Sequence, residues 1–284
     1  MVAAARHSAV MLRSSGAGGG TLQSAGRLLS MKGRRVLVTG AASGIGAAIA
    51  ARFAEAGADL IIVDLDLPGL QAVAESVSRP GCVVALHELD LTRKKQIATL
   101  WEGLDAALPD TLVNNAGSYP LRDFLEITPA FLERSFALNL KAVLWMCQEF
   151  IRRRLDKGGV IVNDSSIEAI VPFRPDLVPY GTAKAGVIAL TRSLARDHGK
   201  RGFRVNVLLP GAIRTPGTEA LVKMAVRRVR LDLMKTGYGF QSRLPLGKWG
   251  RPDDVARMAL VLASEAASYV QGAAIPVDGG FLSA

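Results

Sequence analysis

From residue 34 onward the chain alternates between two apolar patterns. Short unbroken apolar runs are "RRVLVTG", "DLIIVDLD", "CVVALHELD", "TLVNNAG", "GGVIVNDSS", "FRVNVLLPG" and, near the end, "AAIPVDGG". Unbroken rather than alternating runs predict strands buried on both faces, hence a parallel sheet between helix layers. Between them lie stretches with helical spacing: "GIGAAIAARFAEAGA" closed by Gly57, "LPGLQAVAESVS", "TRKKQIATLWEGLDAAL", "YGTAKAGVIALTRSLARDHG" and "RPDDVARMALVLASEAASYV". The stretch "TPAFLERSFALNLKAVLWMCQEFIRRRL" predicts one long helix over 128–155, with Thr128 as N-cap and Pro129 at its first position. Seven strands interleaved with helices predict a single doubly wound α/β domain of the Rossmann kind over residues 31–284, with helices on both faces. Ligand is expected at the carboxyl ends of its strands.

The totals narrow the class. At 284 residues, 49% hydrophobic and 21% charged, the chain is long and apolar enough for one large core. No apolar run approaches the ~18 residues of a membrane span. Cys82 and Cys147 sit in apolar stretches and read as buried free thiols in a reducing, cytoplasmic setting, with a disulfide as the lesser alternative. Three histidines without a Cys/His cluster give a metal site or a histidine-dependent triad little to work with, so no metal is expected.

The net charge of +10 changes the picture modestly. Part of it precedes Glu55, the first acidic residue, and part lies between Lys223 and Arg251. A solvated basic surface is the plainer reading, and attraction of an anionic substrate or an acidic partner the sharper one. No nucleic-acid motif accompanies the charge. Residues 1–30 are rich in Ala, Ser, Gly and Arg and free of acids. They read as a disordered tail without a catalytic role. A mitochondrial targeting segment and an upstream translation start, with Met31 as the natural beginning, are the alternatives.

The chemistry starts at "TGAASGIG", which follows the first strand and opens a helix. Gly40, Gly44 and Gly46 allow the backbone close to a pyrophosphate, and the helix N-terminus favours its charge. A glycine turn alone is a weak signal; no Lys-Ser/Thr follows, so it is not an NTPase phosphate loop. Asp64 ends the second strand, where a carboxylate hydrogen-bonds the adenosine ribose and repels a 2′-phosphate. With Ser43 rather than a basic residue in the loop, NAD is favoured over NADP. Asp66 competes with Asp64, and Asp90 ends the third strand where adenine would lie. Tyr180 and Lys184 stand one helical turn apart and share a face. An ammonium ~4 Å from a phenol, at an effective dielectric of ~20, contributes roughly 4 kcal/mol toward the phenolate. That is about 3 pK units, which would bring the phenol near 7, where proton transfer works best.

"TGAASGIG", "NNAG", Asn139, the pair Ser165-Ser166, "YGTAK", "PGAIRTP" and "IPVDGG" occur in this order over about residues 33–282. As a set they resemble the short-chain dehydrogenase/reductase family in its simple, non-extended form. The resemblance implies Tyr180 as catalytic acid/base, Lys184 as its activator and ribose ligand, a serine orienting the substrate carbonyl, and Asn139 holding a water in a proton relay. It implies cofactor contacts at Gly40, Ser43, Gly44, Ile45 and Gly46, at Asn115, Ala116 and Gly117, and at Pro210, Gly211, Ile213 and Thr215 with the nicotinamide end. Ser166 stands 14 residues before Tyr180, one more than the family's usual interval, and is preferred to Ser165. Asp164 replaces an apolar or small residue and reads as a satisfied strand-end group. Glu168 either reads a substrate hydroxyl or amine or faces water.

The segment from Thr215 to about Pro245 corresponds to the family's substrate lid and carries Tyr238 and Phe240. Two substrate classes compete. One is a sugar, polyol or other small secondary alcohol, suited to NAD and to "SSIEAIVP" and "PGAIRTP". The other is a 3-oxoacyl thioester on an acidic carrier protein, suggested by Lys157 and Arg201. A nucleotide-binding scaffold without turnover is the reading of another class, and the intact Asn–Ser–Tyr–Lys set argues against it. The resemblance also implies a homotetramer or homodimer built on the helices of 128–155 and 180–198.

Overall fold

A computed structural model describes residues 23–104, 107–219 and 242–284. Seven strands form one parallel sheet: β1 (Arg35–Thr39), β2 (Asp59–Asp64), β3 (Val84–Glu88), β4 (Thr111–Asn114), β5 (Gly159–Asp164), β6 (Phe203–Pro210) and β7 (Ala274–Val277), in spatial order β3-β2-β1-β4-β5-β6-β7. The order reverses between β1 and β4. A crevice opens there at the carboxyl ends of the strands.

Each strand feeds two cores. On one face Leu37, Ile61, Leu112, Ile161 and Val205 pack in the cluster that holds Trp101, Phe150 and Val187. On the other, Val36, Val38, Leu60, Ile62, Val113 and Val162 pack with Ile49, Phe53, Leu70 and Val255. Alternate residues of a strand point to opposite faces, so an unbroken apolar run is what a sheet covered on both sides requires. The covering helices are α2 (Gly44–Glu55), α3 (Leu67–Val77), α4 (Lys94–Gly103), α5 (Pro129–Phe136), α6 (Ala142–Arg153), α7 (Val178–His198) and α8 (Pro252–Ala263).

Several elements depart from expectation. The long helix over 128–155 is broken: Thr128 caps α5 through the Phe131 N–H, but a turn of π-helix, Ala137–Lys141, separates α5 from α6. Asn139 sits in that turn, fully buried, and its amide accounts for the interruption. Nδ2 donates to the Ser118 and Ser135 carbonyls at 2.9 and 3.0 Å, while Oδ1 accepts the Ser118 N–H at 3.0 Å. A buried amide thus ties the helix to the chain after β4 and widens one turn to do so. Ahead of the domain, residues 25–28 form a single helical turn, α1 (Ala25–Leu28), capped by Ser24. Residues 1–22 lie outside the described residues. Met31 is already core, at 2% exposure. Cys147 is buried and Cys82 only partly so, and both are free thiols. No helix among the described residues is long and apolar enough to cross a membrane.

Candidate active site

The crevice is a cavity of about 560 Å³. Its outer end is built by the glycine loop. Gly40 has φ +67°, and a Cβ there would stand 2.7 Å from the Ala116 Cα, so only glycine fits. Ser43 makes no side-chain cap bond to α2, which leaves the N–H groups of the first turn facing the cavity that Ser43, Gly44 and Ile45 line. That is an anion site by construction. Gly46 is different. It does not line the cavity, and its Cβ would fall 2.0 Å from the Gly40 carbonyl oxygen. Its lack of a side chain allows the close seating of α2 on the loop.

Asp64 also lines this end. Its Oδ2 accepts the Ala42 N–H at 3.0 Å, and Oδ1 accepts the N–H groups of Leu65 and Asp66 at 2.7 and 3.2 Å. The carboxylate is fixed, and Oδ2 keeps a lone pair for a ligand hydroxyl. Asp66 is used otherwise: it caps α3 through the Gly69 N–H and does not line the cavity. Asp90 lines the cavity with its carboxyl held below the usual range, chiefly by the Thr92 hydroxyl. Asn115, Ala116 and Gly117 form the floor. The Asn115 amide donates to the Thr39 and Gly40 carbonyls, both at 3.0 Å, and so locks the loop after β4 to the loop after β1.

The inner end gathers Ser165, Ser166, Tyr180 and Lys184, with Pro210, Gly211, Ile213 and Thr215 across from them. The two serines are separable. Ser165 donates to the Lys184 carbonyl at 2.7 Å and is buried. Ser166 caps the turn Ile167–Ala169 through the Glu168 N–H and hydrogen-bonds the Tyr180 phenol. Lys184, 3% exposed, donates from Nζ to the Asp164 carbonyl at 2.7 Å and stands 5.8 Å from the centroid of the Tyr180 ring. Asn139 is the one expected catalytic residue that does not line the cavity. It stands behind the cavity floor, where a Cβ on Gly117 would be 3.0 Å from its Oδ1 and 3.4 Å from Lys184 Nζ. Both of its amide protons are taken by backbone carbonyls.

The electrostatics correct one expectation. Burial, and next the charge of Asp164, raise the Tyr180 phenol above its ordinary value; the Ser166 hydrogen bond opposes them, and Tyr119 and Glu168 add to the rise. Burial lowers the Lys184 ammonium and Asp164 opposes that. The protein's own groups therefore do not bring the phenol near neutrality. Desolvation and the Asp164 charge, neither weighed from the sequence, both oppose its ionisation.

Asp164 is also not a satisfied group. It is 8% exposed and lines the cavity, and its Oδ1 is buried with no hydrogen-bond partner among the described residues. Burial pushes its carboxyl up to about 7, against Lys184. Glu168 faces neither water nor the cavity lining. It is 4% exposed and its carboxylate accepts the backbone N–H groups of Phe173 and Arg174, with burial pushing it up to about 7. It anchors the loop that carries the extra residue between Ser166 and Tyr180.

Tyr119 was missed from the sequence. It lines the cavity, packs edge-to-face on Tyr180 with ring centroids 5.9 Å apart, and hydrogen-bonds the Thr215 side chain. Thr218, also missed, ties down the chain after β6 by accepting the Thr215 N–H at 2.8 Å and donating to the Ile213 carbonyl at 3.0 Å. Tyr119 has no periodic pattern around it; its only signal is its place just after "NNAG". The remainder of the expected lid, with Tyr238 and Phe240, lies in 220–241, outside the described residues.

A family profile described as enoyl-(acyl carrier protein) reductase matches residues 40–282. This chain belongs to the short-chain dehydrogenase/reductase family. It is 37% identical over 254 residues to a galactitol 2-dehydrogenase (L-tagatose-forming) from Cereibacter sphaeroides, covering 88% of this chain and 96% of that one. To a 3-oxoacyl-[acyl-carrier-protein] reductase from Thermotoga maritima it is 36% identical over 258 residues, covering 89% and 100%. Among solved structures, a candidate NAD(P)-dependent gluconate 5-dehydrogenase from Beutenbergia cavernae, with NADP bound at low occupancy, superposes with TM-score 0.82 at 34% identity over 90% of this chain and all of that one. This short-chain dehydrogenase/reductase is thus an oxidoreductase of the alcohol–carbonyl class, and its family uses a nicotinamide cofactor.

The cavity fits such a cofactor on its own features: an uncapped helix N-terminus beside glycines, a fixed carboxylate on the second strand, and a tyrosine and lysine at the far end.

Proposed function

We propose that this protein is an NAD(H)-dependent oxidoreductase interconverting a secondary alcohol and its ketone, with a sugar, polyol or other small alcohol as substrate. The observation that carries this reading is the shared cavity: Asp64 lines one end, and Ser166, Tyr180 and Lys184 line the other. A bound nicotinamide would supply or accept the hydride. Tyr180 gives the proton to the carbonyl oxygen, or takes it from the alcohol. Ser166 orients that oxygen, and Lys184 holds positive charge beside the phenol and would hold the ribose of a bound nicotinamide. Asn139 acts behind the floor by holding Ser118 through two hydrogen bonds of its amide.

NAD rather than NADP is supported by Asp64, whose carboxylate is pinned by three backbone N–H groups and cannot swing away from a 2′-phosphate. The NADP in the Beutenbergia structure is the observation on the other side. Gly40, Ser43, Gly44, Ile45, Asp90, Asn115, Ala116, Gly117, Pro210, Gly211, Ile213 and Thr215 would contact the cofactor along the cavity.

The carrier-protein alternative has one specific observation. Lys157 and Arg201 are both exposed and flank one spot, because Gly159 N–H bonds the Gly202 carbonyl. That spot lies at the amino ends of β5 and β6, a strand length from the cavity at their carboxyl ends, which favours the small alcohol. A dimer or tetramer is supported by the apolar residues Leu144 of α6, Leu190 and Leu194 of α7, and Leu155 just after α6, which line one surface cavity. A cytoplasmic location accords with the free thiols.

The test is nicotinamide absorbance with a panel of polyols, sugar acids and 3-oxoacyl thioesters, each with NAD and with NADP. Turnover of a polyol or sugar with NAD supports the reading. Turnover confined to thioesters, or to NADP, overturns the substrate or the cofactor half respectively.

A further inference from the structure

Of the buried ionisable groups around the cavity, Asp164 is the one that neither packing nor hydrogen bonding explains. Lys184 bonds its main-chain carbonyl at 2.7 Å, which any residue would offer. The side chain is separate: a carboxyl at the end of β5, 92% out of solvent, with Oδ1 unpartnered, lining the cavity beside Tyr180 and Lys184. A buried carboxyl left without partners destabilises a fold unless it takes up a proton, so its presence calls for a job at the site.

We propose that Asp164 is a positioning residue of the proton-transfer site, its carboxylate holding Tyr180 as the neutral phenol and Lys184 as the ammonium. This rests on the reading of Tyr180 as the acid/base. Negative charge beside a phenol opposes its ionisation, and beside an ammonium it opposes loss of the proton. The site is thereby set for proton donation. In carbonyl reduction, with hydride for the carbonyl carbon supplied by a reduced nicotinamide when bound, Tyr180 O–H would give its proton to the carbonyl oxygen. The phenolate left behind is opposed by Asp164 and regains a proton from solvent. In alcohol oxidation the phenolate must form first, against Asp164, so that direction is moved to higher pH.

Among the described residues, the charged and titratable groups around the pair come from several elements, and Arg134 of α5 lines the same cavity. Lys184 faces Asp164 from α7. Tyr119, from the loop after β4, and Glu168, from the turn after β5, act on Tyr180. Arg174 acts on Tyr119 and Glu168. The chain from Pro210 to Thr218 brings no ionisable side chain to the lining. By the pH at which tyrosines ionise, Asp164, at about 7, is already charged.

The experiment is NMR of isotope-labelled tyrosine, following the hydroxyl-bearing ring carbon through an alkaline titration. The chain has four tyrosines, Tyr119, Tyr180, Tyr238 and Tyr269, and Tyr180→Phe identifies the Tyr180 signal. In Asp164→Asn the Tyr180 midpoint falls by about one unit or more relative to wild type, or a transition emerges where wild type shows none before it unfolds. Asp164→Glu, which keeps the charge, stays near wild type. If Asp164→Asn does not fold, Asp164→Leu removes the same charge and the same fall is expected. A Tyr180 that ionises no earlier in the folded neutral variant than in wild type overturns the proposal. No substrate enters the titration, so the two readings fail separately: a shifted midpoint in a protein that turns nothing over contradicts the proposed function, and turnover with an unshifted midpoint contradicts the role of Asp164.

Discussion

The two ends of the cavity are built on opposite terms. At the outer end the polar groups are satisfied by the chain: Asp64 holds three backbone N–H groups, Asp66 caps α3, and the Asn115 amide spans two carbonyls. At the inner end Asp164 keeps a buried oxygen without a partner among the described residues, and burial displaces Tyr180 and Lys184 in opposite directions. A binding end can be finished by the fold, because its ligand meets backbone and one fixed carboxylate. A reacting end retains unmet polar demand, and that demand is what a substrate and a charged cofactor answer.

The sharpest way to break this contrast is Tyr180→Phe. Turnover should fall about 10³-fold while cofactor binding stays within a few-fold, read by fluorescence titration beside steady-state kinetics. Comparable loss of both would mean that the two ends are not separable.

The second test uses pH and stability. Asp164 is raised to about 7 in the folded chain, above the ~3.9 of an unfolded aspartate, so folding favours its proton. Its contribution is full below about pH 4 and is lost as pH rises to about 7. Asp164→Asn escapes that loss. It should be more stable than wild type above neutrality by up to about 4 kcal/mol, and the gap should close on acidification. A constant gap across pH, measured by denaturant unfolding, would show that the carboxyl is not buried as described. The third lies at the outer end: Gly46→Ala places a methyl against the Gly40 carbonyl and should cost about 2–3 kcal/mol of stability.

Smaller effects sharpen the outer end. Asp64→Ala should move the NAD-to-NADP preference toward NADP by about tenfold, since one fixed charge is worth about 1.4 kcal/mol there. Asp66→Ala should remove a helix cap, about 1 kcal/mol, and leave that preference unchanged. If the two aspartates exchange these outcomes, the cofactor end has been assigned to the wrong one.

The sequence made the architecture readable because burial on both faces leaves unbroken apolar runs, and the glycine loop because glycine alone tolerates φ near +60° beside another backbone. Thr128 was readable as a cap for the same local reason. What escaped depends on three dimensions. The π-turn at Asn139 follows from a buried amide reaching Ser118, 21 residues away. Gly46 shows its real neighbour only once α2 folds back on Gly40. The Tyr180 phenol could be weighed against Lys184 from spacing alone, but not against the desolvation and the Asp164 charge that oppose its ionisation. Tyr119 reaches the site by chain reversal after β4, which no periodicity signals.

The most direct measurement follows from that balance. If the protein's own groups hold Tyr180 as a phenol, the positive charge needed for its ionisation comes from the oxidised nicotinamide beside it. The Tyr180 midpoint, read by the same NMR titration, should fall when NAD⁺ is bound and stay near that of the free protein with NADH. One midpoint shared by the free, NAD⁺-bound and NADH-bound protein would place the nicotinamide away from Tyr180 and contradict a proton-transfer centre built on it.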